Sequence, residues 1–349
     1  MPSDDNWSGG GVFVKQGSFT LKDGLISENV ATYGGGVTVN YESGAQFTML
    51  GGAIQGNSAI GRSYIARGGG LDIMGPFSME GGKISGNYTA GNGGAIYCQN
   101  DIVISNGEIS GNSADESAGG IYISSYNIAI SGNVRIKDNV VGGTLDGNAY
   151  TGGTKSNVHM NSDRGTINPT GELAETASIG RTLKTPGVFK KSSDNVKAKD
   201  CKSNFFSDNP DMFIEQQEGS DELQLFRQPV SYLDENGEVQ ECKVYTPVAA
   251  KTGSWSNGWY VVNDNTSISN RCLASGTVNL ILCDGATLTA ENGIRVTSGT
   301  TLNIFVQSTG ESAGKLVTTG SDGQAGIGSD APTMSSWTPS ACGTVNIYG

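Results

Sequence analysis

From residue 12 onward the chain alternates apolar and polar positions in runs of only three to five residues, and the runs return in a fixed order. The first run of each unit follows a Gly-Gly step: Val12–Val14, Val37–Val39, Leu71–Ile73, Ala95–Tyr97 and Ile121–Ile123. The second is Phe19–Leu21, Phe47–Met49, Phe77–Met79, Ile102–Ile104 and Ile128–Ile130. The third carries an Ile followed three residues later by an Asn: Ile26/Asn29, Ile54/Asn57, Ile84/Asn87, Ile109/Asn112 and Ile136/Asn139. Alternation with period two is strand patterning, and runs this short are bounded by turns. The Ile–Asn unit recurs at steps of 28, 30, 25 and 27 residues, a spacing that belongs to stacked repeats.

Three short strands per repeat predict an all-β chain built as a right-handed parallel β-helix, a solenoid whose coils stack at about 4.8 Å. Inward positions then form ladders. Phe19, Phe47 and Phe77 continue into Ile102 and Ile128, and the five Ile residues of the third run form a second column. Asn29, Asn57, Asn87, Asn112 and Asn139 fall at a corner, where Asn tolerates the left-handed conformation and its amide can bond backbone and neighbouring amides. They are expected to be a structural ladder rather than a ligand site. Ahead of the ladder Ile, Lys83, Glu108 and Arg135 are expected to face outward with alternating sign, which favours pairing between coils.

A sixth coil is expected at Val158–Met160, after a Gly-rich loop from Gly142 to Gly153. The Gly-Gly signature then fades. Residues 7–165 are therefore expected to be the first β-helix and 166–228 a β-rich cap over its end, since a solenoid end exposes edges and core. Residues 229–349 carry another repeat, Thr277-Val-Asn, Thr301-Leu-Asn and Thr344-Val-Asn. They are expected to start a second β-helix-like module, with an inserted loop at Ser321–Ser340.

Composition sharpens this picture. Gly is 53 of 349 residues, and charged residues are only 16%, which points to many tight turns rather than disorder. The net charge of −12 argues against nucleic acid as a partner, because phosphate binding needs a basic stripe. No apolar run reaches 18 residues, so no membrane insertion is expected from this chain. The six cysteines include no Cys-x-x-Cys pair and His159 is the single histidine, so no metal or other cofactor is expected. Disulfides and free buried thiols both remain open. Met1–Asn6 is polar, and the chain stops within a strand-like run; both ends are expected to continue in a longer protein that carries signal and anchor.

The pieces GGVTV…FTM…AIQGNSA and GGLDI…FSM…KISGN resemble the Gly-rich β-helix repeats of large surface proteins from gut-dwelling Gram-positive anaerobic bacteria. So do Gly258-Trp-Tyr-Val-Val, Leu280–Thr289, Gly326-Ile-Gly and Gly343-Thr-Val-Asn-Ile. The resemblance covers most of the chain and implies a modular, adhesin-like protein, extracellular or cell-wall-attached. It carries no catalytic residues across. Arg135-Ile-Lys137 resembles a piece of the polygalacturonases, but the Gly-His-Gly and paired aspartates of that family are missing, and Arg135 fits the charge ladder.

The loops after the ladder Asn differ most in length, from four residues after Asn29 to twelve after Asn139. Uneven insertions along one edge of a solenoid often mark a binding face. These loops carry Tyr33, Tyr64, Tyr88 and Tyr150, with Arg62 and Arg67 beside Tyr64. Tyr rings can stack on sugars and Arg can bond hydroxyls or carboxylates. The expected function is a non-catalytic surface or secreted stalk or adhesin with glycans or host surface proteins as partners. The alternative is a β-helix polysaccharide lyase or glycoside hydrolase.

Overall fold

A computed structural model describes residues 9–42, 44–61, 65–161, 165–183, 186–191, 196–320, 323–329 and 341–348. The chain divides into two compact units, Met1–Phe226 and Arg227–Gly349.

The first unit is a parallel β-helix. Its first-face strands (12–14, 37–39, 71–73, 96–98, 121–123, 158–160) pair in parallel register. The second face is a six-stranded sheet running from Ser18–Leu21 to Ile167–Leu173. On the third face Ile26, Ile54, Ile84, Ile109 and Ile136 stand directly over one another. Phe19, Phe47 and Phe77 stack at 5.1 and 5.2 Å, and Ile102 and Ile128 continue that column. Ile54, Ile84, Ile102 and Ile128 are fully buried. Each such side chain contributes on the order of 1.5–3 kcal/mol, so stability accumulates coil by coil along a narrow column.

The structure departs from the sequence expectation at three places. The fourth coil's first strand is Ile96–Cys98, one residue later than Ala95–Tyr97. Ala95 occupies the turn position that Gly70 holds one coil earlier, so Ile96 and Cys98 point into the core. Each coil also has a fourth strand, two residues long, directly after the ladder Asn: 30–31, 58–59, 88–89, 113–114 and 140–141. Two residues carry no periodicity, and their inward positions are small side chains such as Ala59, Thr89 and Ala114. Finally, the left-handed residue at the Asn corner is the one before the Asn. Glu28, Gly56, Gly86, Gly111 and Asp138 have φ of 58°, 66°, 61°, 64° and 57°.

At its far end the solenoid closes through the strand Ser178–Thr182. Ser178 and Ile179 pair with the third face at Arg135 and Ile136, while Arg181 and Thr182 pair with the first face at Val158 and His159. One strand thus joins two faces into a single 13-stranded sheet. A helical turn at 198–201 and a three-stranded sheet of 187–190, 223–227 and 212–216 cap this end. Phe189, Ala198, Leu223 and Leu225 add to the solenoid core. Lys190, fully buried, meets Asp221 at 3.3 Å, the pairing a buried ammonium requires.

The second unit is also a parallel solenoid. A five-stranded sheet (246–247, 258–262, 277–282, 301–306, 344–347) forms one face, and sheets of four and three strands form the others. The Thr-x-Asn repeat is in register: Asn279, Asn303 and Asn346 stack. An antiparallel hairpin, 230–233 with 239–242, buries the outer apolar positions of that face, Val261, Ile281 and Phe305. Most of the inserted loop expected at Ser321–Ser340 lies outside the described residues. All six cysteines are free thiols. Among the described residues no helix is long and apolar enough to cross a membrane.

Candidate functional site

The Asn row is an internal ladder of high bond density. Each rung accepts, at one carbonyl oxygen, both the backbone N–H and the side-chain amide of the rung before, at 2.8–3.1 Å from Asn29 to Asn157. The amides of Asn57, Asn87, Asn112 and Asn139 also donate to the carbonyl of the ladder Ile one coil back. These four residues are fully buried, so the row offers nothing to a ligand.

Two rungs were not anticipated from the sequence. Asn157 lies just ahead of a first-face strand, 18 residues after Asn139, where no Ile-x-x-Asn spacing marks it. Asp208 ends the row, accepting the backbone N–H and the amide of Asn157 and the hydroxyl of Thr182. A signal for Asp208 exists. Phe205 stands over Ile179 on the third face, so Phe205-x-x-Asp208 is the repeat motif with a larger apolar residue and an acid. Burial pushes the Asp208 carboxyl up, opposed by the bonds from Thr182 and Asn157 and the charge of Arg181.

The candidate binding residues do not form one row. Tyr33 shares a ladder position with Arg67, Asn92 and Ser117, whereas Tyr88 shares one with Ser58 and Ser113. The Arg67 guanidinium lies between two rings, 4.8 Å from Tyr33 and 5.0 Å from Tyr97, and its Nε is 3.2 Å from both Asp72 oxygens. Tyr97 stacks on Tyr122 at 5.2 Å, and Tyr122 on His159 at 5.7 Å. Arg67 is thus clamped in a stack along the outer first face, a cation–π bracket between coils. Burial raises the Asp72 carboxyl to about 6, while Arg67 pulls the other way. Tyr64 and Arg62 lie outside the described residues.

Tyr88 and Tyr150 do come together. Their rings stack at 5.7 Å, and the Tyr88 hydroxyl donates to Asp115 at 2.6 Å. Burial and that carboxylate push the Tyr88 phenol up to about 12. Tyr150 is brought there by the longest insertion, which folds as a hairpin of Thr144–Asp146 and Ala149–Thr151. The hairpin rests on two glycine corners. A Cβ on Gly86 would lie 2.4 Å from the Asn148 carbonyl, and one on Gly111 would lie 2.6 Å from the Ala149 Cβ. The Tyr150 N–H donates to the Gly111 carbonyl at 2.8 Å.

Beside this hairpin runs a groove of about 540 Å³. Its floor is the outer third face, with one row of Lys83, Glu108 and Arg135 and a second of Ser85, Ser110 and Lys137. Asn148 to Gly153 form the wall, and Lys155 stands at one side. Glu108 meets Lys83 at 3.1 Å and Arg135 on its other oxygen, and Ser110 donates to it at 2.7 Å. Burial would raise Glu108, but Ser110 and the two cations outweigh it and hold the carboxyl below its usual value. The volume falls in the range of small-ligand sites.

A second cleft of about 510 Å³ lies near His159, Glu116, Thr182 and Asp208. Among the described residues no three His, Cys, Asp or Glu side chains gather as a metal site would need. No protein-family model, curated protein or solved structure matches the chain. What the molecule defines by itself is a parallel β-solenoid scaffold with an insertion-built groove on its third face.

Proposed function

We propose that this chain is the solenoid part of an extracellular, surface-displayed adhesin-like protein, of the Gly-rich repeat kind found on gut bacteria, and that it binds glycans. The observation that carries this reading is the groove between the third face and the 144–151 hairpin. It is open, lined by hydroxyls, amides, backbone and charged groups, and bounded by Tyr150, whose ring is stacked on Tyr88. Such a lining suits a ligand rich in hydroxyls, with an aromatic ring to cover an apolar sugar face. A rigid column of repeats also suits display at a distance from a surface.

The test is a glycan array with the full chain, run beside hydrolysis and lyase assays on uronic-acid and mucin polysaccharides. Binding without product is the expected outcome. Reproducible product formation would overturn the non-catalytic reading in favour of a β-helix polysaccharide enzyme. For the aromatic wall, Tyr150→Ala is expected to weaken binding about tenfold, the scale of one stacked ring with its buried area. Unchanged affinity would remove the hairpin from the site.

A further inference from the structure

The charge in the groove runs against the charge of the chain. The protein carries 34 acids against 22 Lys and Arg. The groove brings together Lys83, Arg135, Lys137 and Lys155 against only Glu108 and Asp138, a local excess of two positive charges. Both acids are already paired with cations. Glu108 is shared between Lys83 and Arg135, and Asp138 lies 3.7 Å from Lys137. Lys155 is exposed on the other flank. The local positive excess attracts anions to the trough even though the chain as a whole is acidic.

We infer that the groove binds an anionic glycan chain, with uronate carboxylates or sulfates held by Lys137, Lys155 and Arg135 and ring hydroxyls facing Ser110. This rests on the glycan-binding reading above and adds the ligand's charge. The repeat supports a chain rather than a single sugar. Lys83, Glu108 and Arg135 occupy one slot on three successive coils, and coils recur at about 4.8 Å, close to the length one pyranose residue adds. A glycan lying along the stacking direction thus meets a new side chain at each ring. The lining has few apolar side chains, Val140 and Ala149 besides Tyr150, so it lacks the anchor pockets that peptide recognition uses.

The experiment is calorimetry of the full chain with four probes: oligogalacturonate, chondroitin sulfate oligosaccharide, a neutral β-glucan oligosaccharide and poly-glutamate. Each is measured at low salt and at about 0.5 M salt, where exposed charges are screened. The expected result is binding of at least one anionic glycan, weakened about tenfold or more by salt. The two anionic arms tell carboxylate from sulfate. The double variant Lys137→Gln with Lys155→Gln is expected to lose binding about tenfold with an unchanged melting temperature. Lys15→Gln with Lys22→Gln, elsewhere on the chain, is expected to have no effect. Glu108→Gln removes a negative charge from the groove and is expected to tighten the anionic glycan while leaving a neutral one unchanged. Neutral glycan bound as tightly and without salt dependence would overturn this inference and leave the glycan-binding reading standing. No glycan bound would overturn both. Poly-glutamate bound as tightly as the anionic glycans, or equal loss in the control variant, would overturn it as non-specific charge attraction.

Discussion

Both solenoid units stack asparagines coil upon coil, and the two rows do different work. In the first unit the Asn side chains are buried at a corner, and the amide nitrogen of each interior rung from Asn57 to Asn139 donates both to the side-chain oxygen of the next rung and to a backbone carbonyl of the coil before. In the second unit Asn279, Asn303 and Asn346 project from mid-strand and stay half exposed. They are joined by one amide–amide bond per step, at 2.8 Å. The same residue, stacked coil on coil, gives a buried internal splice in one place and a surface rail in the other. What separates them is whether water can replace the bond when it is lost.

The steepest test is at the end of the buried row. Asp208→Ala removes the acceptor of both Asn157 donors and of the Thr182 hydroxyl. Three donors left without their acceptor are expected to cost about 3–5 kcal/mol in urea unfolding of the first unit. A loss below about 1 kcal/mol would mean the row does not depend on its terminus. Next, Asn112→Leu strands the backbone N–H and amide of Asn87 and takes a donor away from the Ile84 carbonyl. About 3 kcal/mol is expected, since each orphaned buried group costs about 1–3 kcal/mol.

A third test uses pH, because the first unit also buries a charge on its outer face. Asp72 titrates near 6 when folded and near 3.8 when unfolded. Between these values the folded state holds a proton the unfolded state has released, so stability falls as pH rises from about 4 to about 6 and is flat above. Asp72→Asn is expected to remove that part of the slope, read as the difference between wild-type and variant melting curves. A difference independent of pH would sink the claim. The smallest effect is expected in the second unit, where Asn303→Ala leaves groups that water can reach. Its cost is expected to stay under about 1 kcal/mol. A loss equal to that of Asn112→Leu would erase the contrast between the two rows.

The polar acids and cations of the first unit divide in the same way. Lys83, Glu108 and Arg135 were legible as an alternating outward row, because period two assigns their side and the repeat assigns their neighbours. Arg67 was not. Its guanidinium is taken by Tyr33, Tyr97 and Asp72, and Tyr97 reaches it only because the first-face register places Tyr97 next to Asp72. Reading the fourth coil one residue early hid that contact.

The sequence by itself determined the parallel β-helix, the apolar columns under Phe19 and Ile26, and the register of the Asn corner. Those features repeat, and a repeat carries its own alignment: each coil specifies the next at constant spacing. Only the tertiary structure decided how the repeat ends and where a groove opens. Asn157 enters the ladder from a different part of the chain, Asp208 closes it under the motif's spacing but with another chemistry, and the hairpin at 144–151 folds back onto Gly86 and Gly111. Each of these happens once. A single event leaves no period to read, so its position is fixed by packing against coils already formed.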